Sequence, residues 1–481
     1  MERLDNLTIP QGRLLCIISF IVSRFVYLGR LRFPFDESPL TYFVQYVDPQ
    51  LLKTKLWESL YYLYSQPPGL NLLLGIVLKA FPKNHTLAFQ SLFICFGVLF
   101  ALSLFALMVQ LGVPPWISTA LTIIFSCSPG TVLYENWLFY TYPTAALLCL
   151  AAVLLHRFAA STTLWNGLSF FSVLTLIAYI RGLFHLSWFI FFCLWLLYFF
   201  PQQRKKVALA FSLPLLALVA LYAKNYFVFG SLNTGNFYLA INVKAMSYYK
   251  IPAGEHRSLI AQGKLTRLSL IHAYPLQGKP EDYMDIIGAP EKSGVAVLDQ
   301  VRKSTGAINF NYAGFLKVVK PISQDNMYFL RERPDVYLQA VVRAYGLYLL
   351  PASETWRFNH LKERLPGVQI LDRLYSLLLL GQRTPSGPAY FLAVGFPLLL
   401  AFGFYAGAKA YRRRDMATSI TVVFLVANIL YVTLVTTLFS EMDHNRYRFK
   451  VDGFYLVLLG LAISSGATAI QALWRKEHFQ D

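Results

Sequence analysis

The chain has 481 residues, of which 56% are hydrophobic and only 14% charged, with a mean hydropathy of +0.47. A soluble globular domain carries roughly 25% charged residues, so this composition excludes a water-soluble fold and predicts an all-α polytopic membrane protein. The formal charge of +18 does not call for nucleic acid, because basic residues of membrane proteins gather in cytoplasmic loops.

Apolar runs recur at about 14–30, 86–111, 116–133, 140–157, 163–180, 183–200, 206–228, 388–408, 417–439 and 451–472. At 1.5 Å per residue such runs are long enough for a hydrocarbon layer of ~30 Å. The N-terminal stretch MERLDNLTIPQGRLLCIISFIVSRFVYLG has no small-residue cleavage site after its apolar run and reads as an uncleaved first span. Cys16, Cys95, Cys127, Cys149 and Cys193 all sit inside apolar runs. Their odd number and lack of metal spacing make them small core residues rather than a disulfide framework.

The first span leads into RFPFDESPL (32–40), where Asp36 and Glu37 stand among Phe33, Phe35, Tyr42 and Phe43. An ionised carboxylate in such a setting needs partners, which sets this pair apart from ordinary solvated acids at a span end. A third acid, Asp48, follows in the same loop, and Pro67-Pro68 then lead into GLNLLLGIVLKAF (69–81). That run is short for a span. If it crosses, there are eleven spans and the basic clusters PQQRKK (201–206), AKAYRRRD (408–415) and WRKEH (474–478) fall outside. The positive-inside rule prefers the alternative: about ten spans, cytoplasmic termini, and a juxtamembrane helix over 69–81.

In that topology Asp36, Glu37, Asp48, Glu135, Arg181, Glu441, Asp443, Arg446 and Arg448 all come out on the outer face. Arg181 lies in LTLIAYIRGLFHLSWFIFF, with His185 one turn on. An Arg at full membrane depth costs ~2.5–3.5 kcal/mol, so such residues are functional candidates. The plainer alternatives are a guanidinium snorkelling to lipid headgroups and a histidine that merely packs. Lys224 and Asn225 in AKNYFVFG are a weaker version of the same case.

Residues 229–387 contain no convincing span and divide the chain into a transmembrane module (1–228), a partly helical extracytoplasmic insert (229–387) and C-terminal spans (388–481). Within the insert, RPDVYLQAVVRAYGLYLL (333–350) reads as an amphipathic helix with Pro334 in its first turn. Before the last span, DHNRYRFK (443–450) offers Arg446, Arg448 and Lys450. Were this segment extended, alternation would put all three on one face. An interfacial basic belt would normally lie on the inner side, so phosphate binding is the better reading.

Taken in order, the post-span acid, the roughly 50-residue first outer loop with its Pro-Pro-led helix, Glu135 in YENWLFYTYP and the Arg-rich SEMDHNRYRFKVDGFYL resemble the GT-C superfamily of membrane glycosyltransferases. The similarity is to the branch of protein O-mannosyltransferases and the aminoarabinose transferase of lipid A. It covers roughly 14–230 and 440–470, not the insert. The Asp-x-Asp and WWD-type motifs of the oligosaccharyltransferase branch are not found, and Glu135 stands where an Asp is more usual.

The resemblance implies transfer of a sugar from a polyprenyl-phosphate donor to an extracytoplasmic acceptor hydroxyl or amine, on a glycan, lipid or protein, at the outer face of a bacterial inner membrane. On that reading Asp36 is the acceptor base, with Glu37 as close competitor. Arg181, Arg446 and Arg448 would hold the donor phosphate, with Asp48, His185 and Lys224 as further binding candidates. Glu135 would contact donor or a divalent cation (Mg2+ or Mn2+), and cation use stays open. The rivals are a transporter or flippase for a lipid-linked or anionic substrate and an envelope polysaccharide ligase. No P-loop is present to drive an ATP-dependent transporter.

Overall fold

The computed structural model describes residues 7–248, 250–273, 279–378, 390–440 and 442–478, so Glu441 lies outside the described residues. Those residues are helical, with two isolated bridge pairs, Asp36 with Trp137 and Arg302 with Ile308. The first helix, α1 (Ile9–Arg24), opens on a capping box in which Thr8 and Gln11 bond reciprocally, and it continues as a π-helical stretch to Arg30. A short helix α2 (Gly69–Ala80) follows the outer loop and packs beside the long α3 (His85–Gln110).

Helices α4 (Pro115–Cys127) and α5 (Pro129–Glu135) meet at a 59° bend. Pro129 prevents the helix from continuing, and the Ser128 hydroxyl accepts the Thr131 N–H to start it again. Next come α6 (Thr141–Ser161), α7 (Leu164–Ile180), α8 (Leu186–Phe199) and α9 (Arg204–Phe229). The last of these is closed by Gly230 in the left-handed region that a helix C-terminus favours.

The 229–387 region contributes α10 (Asn236–Tyr248), α11 (Gly314–Glu332) and α12 (Pro334–Tyr348), besides a helix at Pro366–Leu378 and several shorter ones. Its own small core stacks Phe237 of α10 on Phe315 of α11, ring centroids 4.3 Å apart, with Tyr283 and Phe310 around them. The chain ends with α13 (Tyr390–Arg412), α14 (Met416–Phe439) and α15 (His444–His478).

By length and apolarity, seven of the described helices can cross a membrane: α1 with its extension, α3, α6, α9, α13, α14 and α15. The bent pair α4–α5 makes an eighth if it crosses as one. Each of the ten expected spans corresponds to a helix, but α7 and α8, with 17 and 14 residues, are only ~25 and ~21 Å long against a layer of ~30 Å. The count of ten is therefore reduced to seven or eight by this measure. The 69–81 run forms a helix of 12 residues.

Two sets of bonds position the first outer loop. The Asp36 N–H donates to the Asn136 carbonyl at 2.7 Å and the Leu138 N–H to the Asp36 carbonyl at 2.9 Å, tying residue 36 to the strap after α5. On the far side of the loop, Lys303 Nζ donates to the Phe43 carbonyl at 2.6 Å and the Ser304 N–H to Asp48 at 2.6 Å. The Asn311 carboxamide oxygen accepts the Tyr64 and Ser65 N–H groups at 2.9 and 3.1 Å.

Candidate functional site

The helix break between α7 and α8 leaves Arg181 buried at the C-cap of α7, and the start of α15 brings Arg446 and Lys450 to the same place. All three gather around two tyrosine rings. Arg181 lies 4.2 Å over the Tyr140 ring and 5.8 Å from that of Tyr447. Arg446 is 5.8 and 4.7 Å from the same two rings, and Lys450 Nζ 6.0 and 4.4 Å. The ring faces offer a quadrupole that tolerates cations. The hydroxyls add single hydrogen bonds, Arg446 to Tyr140 at 3.1 Å and Arg181 to Tyr447 at 3.3 Å.

One carboxylate serves this cluster directly. Asp443 sits 2.9 Å from the Arg357 guanidinium and 3.6 Å from Arg446 Nε. Burial works against the ionised Asp443, but Arg357 first and Arg446 next hold its pKa below the usual carboxylate value. Three guanidiniums and the Lys450 amine therefore share one carboxylate. Lys450 Nζ, Arg446 Nε and Arg181 Nε make no hydrogen bond within the protein, though all are buried. Uncompensated buried cations are costly, and this is the arrangement an anionic ligand would relieve.

A cavity of about 240 Å³ opens beside the cluster. Its lining includes the polar Gln45, Ser65 and Gln66 of the first outer loop and Arg181, together with the apolar Val435 and Phe439 of α14. The Ser65 hydroxyl and the Gln66 carboxamide nitrogen, both buried, have no partner either. A lining that combines polar donors with apolar side chains suits a ligand with an anionic head and a greasy body.

Asp36, in the first outer loop, is not among the residues that line this cavity. Its Oδ1 accepts the Ser38 N–H at 2.9 Å, and its Oδ2 is 3.8 Å from His360 Nε2 of the insert. Tyr42, its pKa raised by burial, lies within electrostatic reach of Arg357 on one side and Asp36 on the other. Glu37 turns away and pairs with His85 at 3.0 Å.

The remaining sequence candidates occupy other positions. Glu135 is buried against Arg24, which donates to both of its oxygens at 2.8 and 2.6 Å, while the Tyr142 hydroxyl adds a third bond at 2.8 Å. Gly97 makes room for this pair, since a β-carbon there would collide with Glu135 Oε2. With both oxygens engaged, Glu135 does not fit a cation ligand. Among the described residues no three His, Cys, Asp or Glu side chains come together as a metal-holding group.

Asp48 caps a short helix at 49–54 and binds Ser304. Lys224 Nζ donates to the Leu63 carbonyl at 2.9 Å. His185 caps α8 at the cavity margin, its Nε2 2.7 Å from Asn233 Oδ1.

Arg448 is a correction. Residues 444–450 are helical rather than extended, so 446 and 450 share a face and 448 points elsewhere. Arg448 donates to Asp452 at 2.8 Å and to the Tyr348 and Leu350 carbonyls at 2.6 and 2.8 Å. The sequence reading left out Tyr140, Tyr447, Gln45 and Arg357. The first two are submerged among 16% aromatic residues, and Arg357 lies in an insert whose fold gave no signal.

No protein-family model matches the chain, and no curated protein does. Among solved structures, the apo oligosaccharyltransferase of Archaeoglobus fulgidus is similar at 12% identity, with a TM-score of 0.36 over 97% of this chain and 52% of that one. This chain thus spans about half of that neighbour's length.

Proposed function

We propose that the chain is an integral membrane glycosyltransferase of the GT-C type, moving a sugar from a polyprenyl-phosphate-linked donor to an acceptor hydroxyl or amine. The acceptor belongs to a glycan, lipid or protein at the outer face of a bacterial inner membrane. The observation that carries this reading is the gathering of Arg181, Arg446 and Lys450 at Tyr140 and Tyr447, with a single carboxylate between them, beside a cavity lined by both polar and apolar side chains.

In this reading Arg181 meets the donor phosphate in the cavity, and Arg446 and Lys450 add field from behind the tyrosines. As the anomeric carbon–oxygen bond breaks, the departing lipid phosphate gains a second negative charge, which fixed cations in a dry site stabilise. The acceptor oxygen or nitrogen forms the new bond to the anomeric carbon and its proton passes to Asp36 Oδ2. Glu37, Glu135, Asp48, Lys224 and Arg448 have structural partners and are given no step, and none is routed through Mg2+ or Mn2+.

The test is sugar release from a panel of polyprenyl-phosphate sugars by purified protein in detergent, with and without EDTA, beside Asp36→Asn. Turnover by the wild type and its loss in a normally folded variant is the expected result. Full activity of Asp36→Asn removes the base role. If folded wild type consumes no donor, yet moves a lipid-linked sugar across vesicle membranes, the reading gives way to a flippase.

A further inference from the structure

The amphipathic helix α12 belongs to the insert by sequence, yet it packs on α14 and α15. Its start lies level with the end of α14, where the Tyr337 hydroxyl donates to the Leu438 carbonyl at 2.6 Å. Its last residue lies well inside the bundle. The Tyr348 hydroxyl accepts from Thr433 of α14 at 2.8 Å and is 3.4 Å from the Tyr455 hydroxyl of α15. Tyr455 follows the first residue of α15 by eleven positions, a distance of ~16 Å along the axis. Phe396 of α13 packs against Tyr345 and Tyr348 from a third side.

The chain then comes back out on the side it entered. The Pro351 and Glu354 carbonyls both accept from Asn445 Nδ2 at 2.8 Å, and Arg357 reaches Asp443 before α15 begins. Non-helical backbone at membrane depth is tolerated only where protein satisfies its polar groups. Arg448 and Asn445 do this for the carbonyls of Tyr348, Leu350, Pro351 and Glu354.

One face of α12 remains uncovered. Val336, Ala340, Ala344 and Tyr348 are buried, whereas Leu338 and Val342, one turn apart, are 59% and 72% exposed. On α14, against which this helix packs, Leu434 is also exposed. We propose that α12 and residues 349–355 form a re-entrant element seated in the leaflet on the site's side, with Leu338 and Val342 against lipid acyl chains. Asp335, Gln339 and Arg343, on a neighbouring stripe, face headgroups and water. The element does not depend on the reaction proposed above, only on α13, α14 and α15 crossing the bilayer.

The experiment places a nitroxide at Leu338→Cys or Val342→Cys in the full-length chain, with Cys95 and Cys127 replaced by Ala, in phosphatidylcholine liposomes. Collision with oxygen, which concentrates in lipid, is compared with collision with a water-soluble nickel chelate. Leu434→Cys is the lipid reference and Glu291→Cys, in an exposed loop of the insert, the water reference. Both test positions are expected to match the lipid reference and to favour oxygen several-fold over the water reference. Free access of the nickel chelate overturns the proposal. Exclusion of both reagents with dipolar broadening also overturns it, assigning the stripe to a second copy of the chain.

Discussion

Two buried arginine sites in this bundle are built from similar parts and reach opposite states. At Arg24, one guanidinium meets one carboxylate through two short bonds, a tyrosine completes the set, and no charge is left over. At Tyr140 and Tyr447, three guanidiniums and a lysine amine gather about one aspartate and three of their nitrogens have no hydrogen bond. The first is a closed pair that holds α1 to α5. The second is incomplete without an anion, and it is the one that opens on a cavity. Burial and charge alone do not separate the two; the balance of partners does.

The largest effect should come from breaking the closed pair. Glu135→Gln leaves Arg24 buried without its counter-charge, a loss of ~3–5 kcal/mol. Poor yield and an early thermal transition in detergent are expected, and an Arg24→Met/Glu135→Leu double variant should recover much of the stability. An equal loss in the double variant would mean that packing, not charge, carries the site.

At the open site the pattern should reverse. Arg181→Gln is expected to lower turnover by ~10²–10³-fold, as the loss of one preorganised donor does, with little change in melting temperature. A variant that unfolds like Glu135→Gln would erase the contrast. Lys450→Met sharpens it further: removing a buried amine that no hydrogen bond satisfies should raise the melting temperature while weakening protection by inorganic pyrophosphate, measured as the anion-induced shift.

A further test concerns pH. Burial lowers the Lys303 pKa from 10.5 to about 7, with Asp48 opposing. Between those values the unfolded chain binds a proton here and the folded chain does not, so stability should rise with pH from about 7 to 10.5. Lys303→Met should flatten that slope in thermal melts.

The sequence revealed this site unevenly. Arg181 and Arg446 stand out in the sequence because charge in an apolar chain is conspicuous, and Asp36 because it stands among aromatic side chains, but only the two arginines come together in one cluster. Glu135 looked equally promising, but its partner lies 111 residues away and nothing local announces the pairing. Arg448 was misplaced by a choice of period: read as a strand it joins Arg446, read as a helix it leaves it. The spans were legible from their hydropathy. Their breaks at Ser128 and Arg181 shorten several below crossing length, and those breaks depend on tertiary partners that hydropathy does not report.

The amides of Tyr64 and Ser65 wait for Asn311, 247 residues later in the chain. At the ~5–20 residues per second of synthesis, the outer loop would leave the ribosome roughly 12–50 s before the side chain that pins it, and Arg446 arrives later still. A nascent chain thus has no assembled cavity to offer a ligand. Truncation anywhere before α15 should release a product that is inserted in the membrane yet incapable of binding, so the synthesis of α15 is the point at which the molecule becomes competent.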